Sequence, residues 1–247
     1  HLPAVMRDAH HKLSKRRGDK SFEDLIREGY IVEAIVNYIA LLGWSPSDNQ
    51  EIFSLEELVQ KFDMKGCSKS PAIFDLKKLT WMNQEYMKRM DDDTFLALAK
   101  DKLQEAIHNP ALDLKKIAAL AKTRVETLND IPALVAFFET LPEYDTALYV
   151  HKKMKTTEEI ALRALKAAYP VLENLAEWNT DTIHDALMAL VGELGMKNGQ
   201  LLWPVRTALS GEPASPGGAM ELADILGKEE TLRRIQIGID KLEQAVQ

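Results

Sequence analysis

The chain has 247 residues, of which 46% are hydrophobic and 28% charged, and a formal net charge of -7. This composition is that of an ordinary globular protein with one to three domains, and it excludes disordered and collagen-like chains. No apolar run approaches the roughly 18 residues that a membrane-spanning helix needs, so we expect no membrane partner. The single cysteine, Cys67, excludes an internal disulfide, argues against a Cys-rich zinc site and favours a reducing, cytoplasmic location.

The first notable element is a basic loop near the amino terminus. Between Arg7 and Lys20 the acidic chain carries six Lys or Arg residues against two acids. Within this loop the pentapeptide Lys12–Arg16 (Lys-Leu-Ser-Lys-Arg) packs cations around one hydroxyl. Such a local cluster of positive charge is suited to attracting and binding a polyphosphate. The pentapeptide alone leaves the alternative of a solvated, Lys-rich turn open.

After the first twenty residues the chain has helical patterns almost throughout. Ser21 with Asp24, and Ser54 with Glu57, form two N-terminal capping pairs, and Gly29 interrupts the first helix. The remaining helices predicted for the first third cover residues 31–42, 55–62 and 75–89.

Two charged stretches, 91–93 and 150–155, are interpreted as junctions between domains. Asp130 is expected to cap the helix at 132–138, and Thr156 the helix that follows the second junction. The helices predicted for this part cover residues 94–108, 113–126, 132–138, 156–176, 183–194 and 200–209, with a last apolar stripe at 232–246.

These patterns predict an all-α protein of several helical bundles, with at most a short strand or loop at the N-terminus. Because period-2 alternation is nearly absent, strands are expected only within the first dozen residues. The predicted domains are a loop-bearing helical domain at 1–90 and two further helical domains at 91–150 and 151–247.

Ordered stretches spread over nearly the whole chain resemble bacterial-type glutamyl-tRNA synthetases, which are class I aminoacyl-tRNA synthetases. Residues 90–200 match by helical pattern more than by sequence. Glutaminyl and eukaryotic-type relatives read the anticodon with β-barrels, so the helical periodicity favours the bacterial type. The stretches that carry the resemblance are His11–Asp19, Gly29–Tyr30, Tyr38–Pro46, Ile52–Glu57, Ser68–Leu79, Leu201–Gly211, Ser215–Gly217 and Leu226–Gly227.

The resemblance implies an enzyme that activates glutamate with ATP and transfers it to its tRNA. The chain has neither a His-x-Gly-His motif nor a Gly-rich phosphate loop, and it begins without Met. We therefore expect the C-terminal part of such a ligase, inactive alone because the nucleotide-binding half is absent. A processed terminus or a purification scar is the alternative for the missing Met.

By resemblance, the pentapeptide is the loop that closes on ATP. Negative charge builds on the departing pyrophosphate, so catalysis there depends on positioning and cationic stabilisation. Lys15 is the first candidate to bind the β- and γ-phosphates of ATP, and Lys12 would flank the same group. Ser14 would donate through its hydroxyl or its backbone N–H, and Arg16 would grip an oxyanion with two N–H bonds. Mg²⁺ is expected with ATP, and no metal site is expected in this chain.

The helical remainder would bind the tRNA stem and anticodon. Arg124 matches a family Arg at the first anticodon base, although a helix-terminal cation is the alternative. Ser215, Pro216 and Gly218 lie in a loop that resembles the segment contacting the later anticodon bases. Gly218 stands where the family usually has a large apolar residue, and an ordinary turn is the alternative. Arg206 would contact phosphate or support this loop, and we favour support.

Two further functions compete with this interpretation. The acidic charge and the lack of aromatic stacking patches favour a helical scaffold without an RNA role. A truncated relative that glutamylates a modified nucleoside fits this sequence less well. Such proteins lack the anticodon-binding half that makes up most of this chain. The expected partners are glutamate tRNA, ATP and, in the full-length enzyme, L-glutamate, with no DNA partner.

Overall fold

The computed structural model describes residues 3–246; His1, Leu2 and Gln247, at the ends of the first and third predicted domains, lie outside that range. The described residues form two compact units. Unit 1 comprises the chain up to residue 102 together with 122–131, and unit 2 comprises 103–121 and the chain from 132 onwards. The division into three domains stays a prediction.

The secondary structure of the described residues is almost entirely helical, which confirms the predicted fold class. The strands are β1 (Val5–Met6) and β2 (Ala72–Ile73). The helices are α1 (Phe22–Arg27), α2 (Val32–Gly43), α3 (Leu55–Lys61), α4 (Leu76–Arg89), α5 (Asp92–Ala106), α6 (Leu114–Lys122), α7 (Ile131–Glu139), α8 (Glu158–Glu173), α9 (Thr180–Leu194), α10 (Asn198–Ser210) and α11 (Ala219–Ala245). None of these helices is both long and apolar enough to cross a bilayer.

The two strands pair in parallel, with Val5 opposite Ala72 and Met6 opposite Ile73. The expectation that strands are confined to the first dozen residues was therefore wrong for β2. A two-residue strand is too short to show an alternating pattern, so the sequence carried no signal for it. The pairing anchors the start of the basic loop on unit 1.

The core of unit 1 forms where α2 packs on α4. Ile35 and Tyr38 of α2 are buried against Leu79 and Met82 of α4. Buried Asn83 joins the later segment to this core: its Oδ1 accepts the Ile31 N–H at 2.9 Å and its Nδ2 donates to the Glu126 carbonyl at 2.7 Å. Residues 122–131 are thereby attached to unit 1.

Unit 2 is built around α8, α10 and α11, which pack on one another and on α9. Its core contains a fully buried guanidinium, that of Arg234. This group donates to the carbonyls of Phe137 and Leu209 at 2.7 Å and pairs with Glu230 at 2.6 Å. A buried charge is tolerated because its donors are satisfied.

Local capping signals were confirmed in some places and wrong in others. The capping boxes Ser21/Asp24 and Ser54/Glu57 are both present. Asp130 does not cap α7; its carboxylate accepts from the N–H groups of Glu126 and Thr127, at 3.0 and 2.7 Å, and closes the preceding single 3-10 turn.

The cap of α8 is displaced by one residue from its predicted position. Thr157 accepts the Ile160 N–H and caps the helix. Thr156 instead is buried and donates its hydroxyl to the Tyr149 carbonyl at 2.7 Å. Thr156 therefore stabilises the turn before α8 and does not cap the helix.

Candidate functional site

The basic loop begins with a short turn directly after β1. Arg7 N–H donates to the His11 carbonyl at 2.8 Å, and Leu13 N–H donates to the Val5 carbonyl at 3.2 Å. The Asp8 carboxylate accepts the backbone N–H groups of His10 and His11 at 2.9 and 3.0 Å. The hydrogen bond from the His10 backbone, followed by that of the His11 side chain, holds the pKa of Asp8 well below its usual range. These bonds fix the direction in which the pentapeptide leaves the sheet.

The pentapeptide is closed by an acid that lies within the basic run. The Ser14 N–H donates to Asp19 Oδ2 at 2.8 Å. Lys15–Arg17 forms one 3-10 turn, and Gly18 ends it in the left-handed region at φ 84°. The backbone N–H of Ser14 is therefore occupied in this structure, which leaves its hydroxyl as the group available to a ligand.

The cations of the loop point into solvent. The Lys15 side chain is 76% exposed, and its nearest carboxylate is that of Glu23, at 3.8 Å. Lys12 and Arg16 are exposed, and among residues 3–246 no carboxylate lies within ion-pair distance of either. Exposed ion pairs contribute only about 0–1 kcal/mol. These charges can therefore move to a polyanion without breaking a strong contact.

A shallow depression of about 710 Å³ opens beside Lys15. Its apolar wall consists of Phe22 and Ile26, which lie one turn apart on α1 and are 43% and 37% exposed. The depression gives the lysine side chain room to change position.

Arg124 lies in a turn and not, as predicted, within a helix. Helix α6 ends at Lys122, so residues 123–126 leave the helical path. Val125 is 1% exposed and anchors this turn. The Arg124 guanidinium is exposed and has no hydrogen-bond or ion-pair partner within the described part of the chain. A fixed backbone with a free guanidinium is suited to recognising a base edge or a phosphate.

Arg206 is 9% exposed and lies over the Trp203 ring, 4.2 Å from its centroid. It donates to Ser215 Oγ at 3.1 Å and to the Glu212 carbonyl at 3.0 Å. Burial lowers the pKa of this guanidinium. Its contacts are those of a residue that supports the loop, and a phosphate contact by Arg206 stays a prediction.

The loop that Arg206 supports presents mainly backbone and small side chains. Ser215 Oγ donates to the Gly217 carbonyl at 2.7 Å, and Pro216 is buried. Gly218 is exposed and donates its N–H to Glu221 at 3.0 Å, at the start of α11. Ser215 is half-buried, so within this predicted set Gly218 is the exposed residue.

The structure thus brings some of the predicted residues together. Lys12, Ser14, Lys15 and Arg16 share one loop of unit 1, which also contains Arg124. Arg206 and the Ser215 loop belong to unit 2. Across residues 3–246 no group of three or more His, Cys, Asp or Glu side chains is arranged to hold a metal ion.

Asp19 was missed by the sequence interpretation, although it holds the loop closed. The available signal was an isolated acid, directly after a glycine, inside a run of cations. A carboxylate in such a position commonly accepts backbone N–H groups of its own turn.

Comparison with protein families agrees with this geometry. The family model described as "Anticodon binding domain" matches residues 81–239, and the model for the catalytic domain of class I tRNA synthetases (E and Q) matches residues 1–81. The first of these covers more than half of the chain.

Curated relatives include the glutamate–tRNA ligase of Clostridium acetobutylicum, which is 54% identical over 99% of this chain and 50% of its own length. That of Clostridium tetani is 55% identical over 100% of this chain and 50% of its own length. A crystal structure of a glutamate tRNA ligase from Elizabethkingia meningosepticum, in complex with its amino acid, has a TM-score of 0.81 at 29% identity and covers 98% of this chain and 51% of the other.

The chain spans about half the length of the curated relatives it matches. Within that span the resemblance extends from the basic loop to the last helix, and it includes the helical anticodon-binding region. The chain therefore belongs to the glutamate–tRNA ligase family of class I aminoacyl-tRNA synthetases, and residues 81–239 correspond to its anticodon binding domain.

Proposed function

We propose that this chain is the part of a glutamate–tRNA ligase that closes on ATP and holds glutamate tRNA. In the reaction of the full-length enzyme, a carboxylate oxygen of L-glutamate attacks the α-phosphate of ATP. The bond to the β-phosphate breaks and pyrophosphate leaves, which gives glutamyl adenylate. A hydroxyl of the tRNA then attacks the glutamyl carbonyl, and the bond to AMP breaks so that AMP leaves. The chain alone is proposed to bind tRNA without catalysing either step.

The loop supplies cations where negative charge develops. Lys15 neutralises the β- and γ-phosphates, Lys12 flanks them, and Arg16 grips a phosphate oxygen. Ser14 adds a hydroxyl hydrogen bond. Mg²⁺ is proposed to bind together with ATP and to help neutralise the negative charge of its phosphates.

The tRNA is proposed to contact both units. Arg124 recognises the edge of an anticodon base, because a free guanidinium can donate two parallel hydrogen bonds. Ser215, Pro216 and Gly218 contact later bases mainly through backbone, with Arg206 holding their loop. A cytoplasmic location is part of the same proposal.

The observation that carries the proposal is the exposure of the loop cations. Within residues 3–246 the Lys15 ammonium has one distant carboxylate partner, Glu23 at 3.8 Å, and both groups of that pair are largely in solvent. An ammonium in this state can reach a polyphosphate without first giving up a strong ion pair. The competing scaffold function does not require such free cations.

A binding assay with glutamate tRNA tests the proposal. The chain is titrated against labelled tRNA at increasing salt, with a non-cognate tRNA as competitor. We expect saturable binding that weakens as salt rises and that glutamate tRNA competes for best. Arg124→Gln should weaken cognate binding by about tenfold, since a bidentate base contact is worth about 1–3 kcal/mol.

Lys100→Gln is the matched control, because Lys100 is an exposed cation of unit 1 without a partner among the described residues. It should leave cognate binding within about twofold, a difference of roughly 0.4 kcal/mol. No binding of any tRNA at low salt would favour the scaffold.

A further inference from the structure

Unit 2 contains four lysines whose ammonium groups are free. Lys152, Lys153, Lys155 and Lys197 are exposed, and no hydrogen-bond or ion-pair partner is found for their side chains among residues 3–246. Other lysines of this unit are held by acids or carbonyls: Lys116 by Asp224, Lys166 by Glu243, Lys228 by Leu175 and Lys241 by Tyr144. The four unpaired lysines thus differ from the other lysines of this unit, whose ammonium groups have partners. We name these four residues the lysine cluster.

Three members of the lysine cluster lie on one tight turn. His151 and Thr156 pair across it, with the His151 N–H donating to the Thr156 carbonyl at 3.3 Å and the Thr156 N–H donating back at 3.2 Å. Lys155 adopts φ 57°, in the left-handed region that glycine or asparagine fills with less strain. A lysine at this position is therefore less favourable for the backbone than glycine or asparagine would be.

The fourth member is joined to the turn by a single side chain. Gln200 donates from Nε2 to the Lys155 carbonyl at 3.1 Å and accepts the Lys197 N–H at 3.0 Å. Lys197 precedes α10 and is thereby placed beside the turn. Two segments that are distant in sequence, which together carry the four lysines, are thus joined through Gln200.

The turn that carries Lys152, Lys153 and Lys155 is linked to the Ser215 loop through side chains of α10. The His151 ring lies 4.1 Å from the Trp203 ring, centroid to centroid. The Arg206 guanidinium lies over the same indole at 4.2 Å and donates to Ser215. The turn and the loop are therefore both attached to α10, the turn through Trp203 and the loop through Arg206.

We propose that the lysine cluster binds backbone phosphates of the RNA whose bases contact the Ser215 loop. This inference rests on the proposed function and adds a second element to the tRNA site of unit 2. Phosphate contacts position a nucleic acid, and base contacts specify it. Flexible ammonium groups suit phosphates, whose spacing varies along a strand. On a chain with a net charge of -7, such a cluster is needed to attract a polyanion locally.

Salt-dependent tRNA binding tests this inference. Affinity for glutamate tRNA is measured at several salt concentrations for the unsubstituted chain and for the variant K152Q/K153Q/K155Q/K197Q. Each phosphate contact contributes roughly 0.7–0.9 to the slope of log affinity against log salt. We expect the slope to fall by about two to three in this variant, and the affinity at low salt to fall by at least about tenfold.

The matched control removes the same charge from unit 1. K65Q/K69Q/K77Q/K100Q replaces four exposed lysines without ammonium partners in the described chain. This control should keep the slope within about one of the original. Circular dichroism and thermal melting establish that both variants fold.

The outcomes separate the inference from the proposed function. No tRNA binding by the unsubstituted chain would overturn both. If the cluster variant binds tRNA with an unchanged salt slope, or if both variants lose the same amount of affinity, the proposed phosphate contacts of the lysine cluster are overturned. The proposed function would still stand. If polyglutamate competed as well as unlabelled tRNA does, the proposed phosphate contacts would also be overturned, because the cluster would then recognise anions in general.

Discussion

Asp19 Oδ2 accepts the backbone N–H of Ser14 at 2.8 Å. This hydrogen bond adds to the backbone bonds that close the turn carrying Lys15 and Arg16, among them the bond from the Arg17 N–H to the Ser14 carbonyl at 2.9 Å. The loop thus combines a fixed backbone with side chains that are free to move. A closed turn lowers the entropy lost when the cations meet a polyphosphate, which is the general advantage of preorganisation.

Replacing Asp19 should open this turn. A hydrogen bond to a charged acceptor contributes about 1.5–3 kcal/mol, so Asp19→Ala should speed amide exchange at Ser14 by roughly tenfold or more. Amide hydrogen exchange followed by NMR measures this directly. Asp19→Asn keeps an acceptor oxygen and should show a smaller change. Unaltered exchange at Ser14 in Asp19→Ala would show that the turn is closed by other contacts.

Gly29 should be much less tolerant of a side chain than Gly18. Both adopt positive φ, 89° and 84°, so alanine strains the backbone at each by about 1 kcal/mol. A Cβ at Gly29 would also lie 2.7 Å from the Asn129 nitrogen, whereas a Cβ at Gly18 has nothing within 4 Å.

We therefore expect Gly29→Ala to lower the free energy of unfolding by about 1–3 kcal/mol more than Gly18→Ala does. Urea unfolding of the two variants measures the difference. Equal destabilisation would mean that residues 128–129 can shift away from α1 without loss of stability.

Arg233 and Arg234 both form ion pairs with Glu230, but they differ in burial. Arg233 is 54% exposed, whereas Arg234 is fully buried and also satisfies backbone carbonyls. Arg234→Ala should destabilise unit 2 by about 3–5 kcal/mol, because it leaves buried acceptors unpaired. Arg233→Ala should cost below about 1 kcal/mol. Denaturant unfolding distinguishes them, and similar losses would contradict the structural role of Arg234.

The parts of the fold that follow from neighbouring residues were predictable. The boxes at Ser21 and Ser54 need only a hydroxyl and an acid three residues later. The predicted end of the helix at residue 194 agrees with the end of α9 at Leu194, which Gly195 caps. The caps at Asp130 and Thr156 were misassigned because each residue has a competing partner in an adjacent turn, and only the folded chain decides which one it meets.

The candidate site was predictable in its chemistry but not in its contacts. The residue types of the pentapeptide indicated phosphate binding, yet nothing in the sequence revealed that Asp19 occupies the Ser14 N–H. The four free lysines were not recognised either, because Lys197 is brought to the turn at Lys152–Lys155 by Gln200, which no local pattern encodes.

The proposed role of the Lys15 ammonium is to stabilise the departing pyrophosphate, and a comparison of two variants of the full-length enzyme tests this role. Rates of ATP–pyrophosphate exchange and tRNA affinities are measured for Lys15→Ala and for Lys69→Ala, an exposed cation of unit 1 outside the loop. Loss of one group that stabilises developing charge typically costs about 10²–10³ in rate. We predict such a fall in exchange for Lys15→Ala, with tRNA affinity within about twofold of the original (roughly 0.4 kcal/mol) and no change for Lys69→Ala. An unchanged exchange rate in Lys15→Ala would contradict the account.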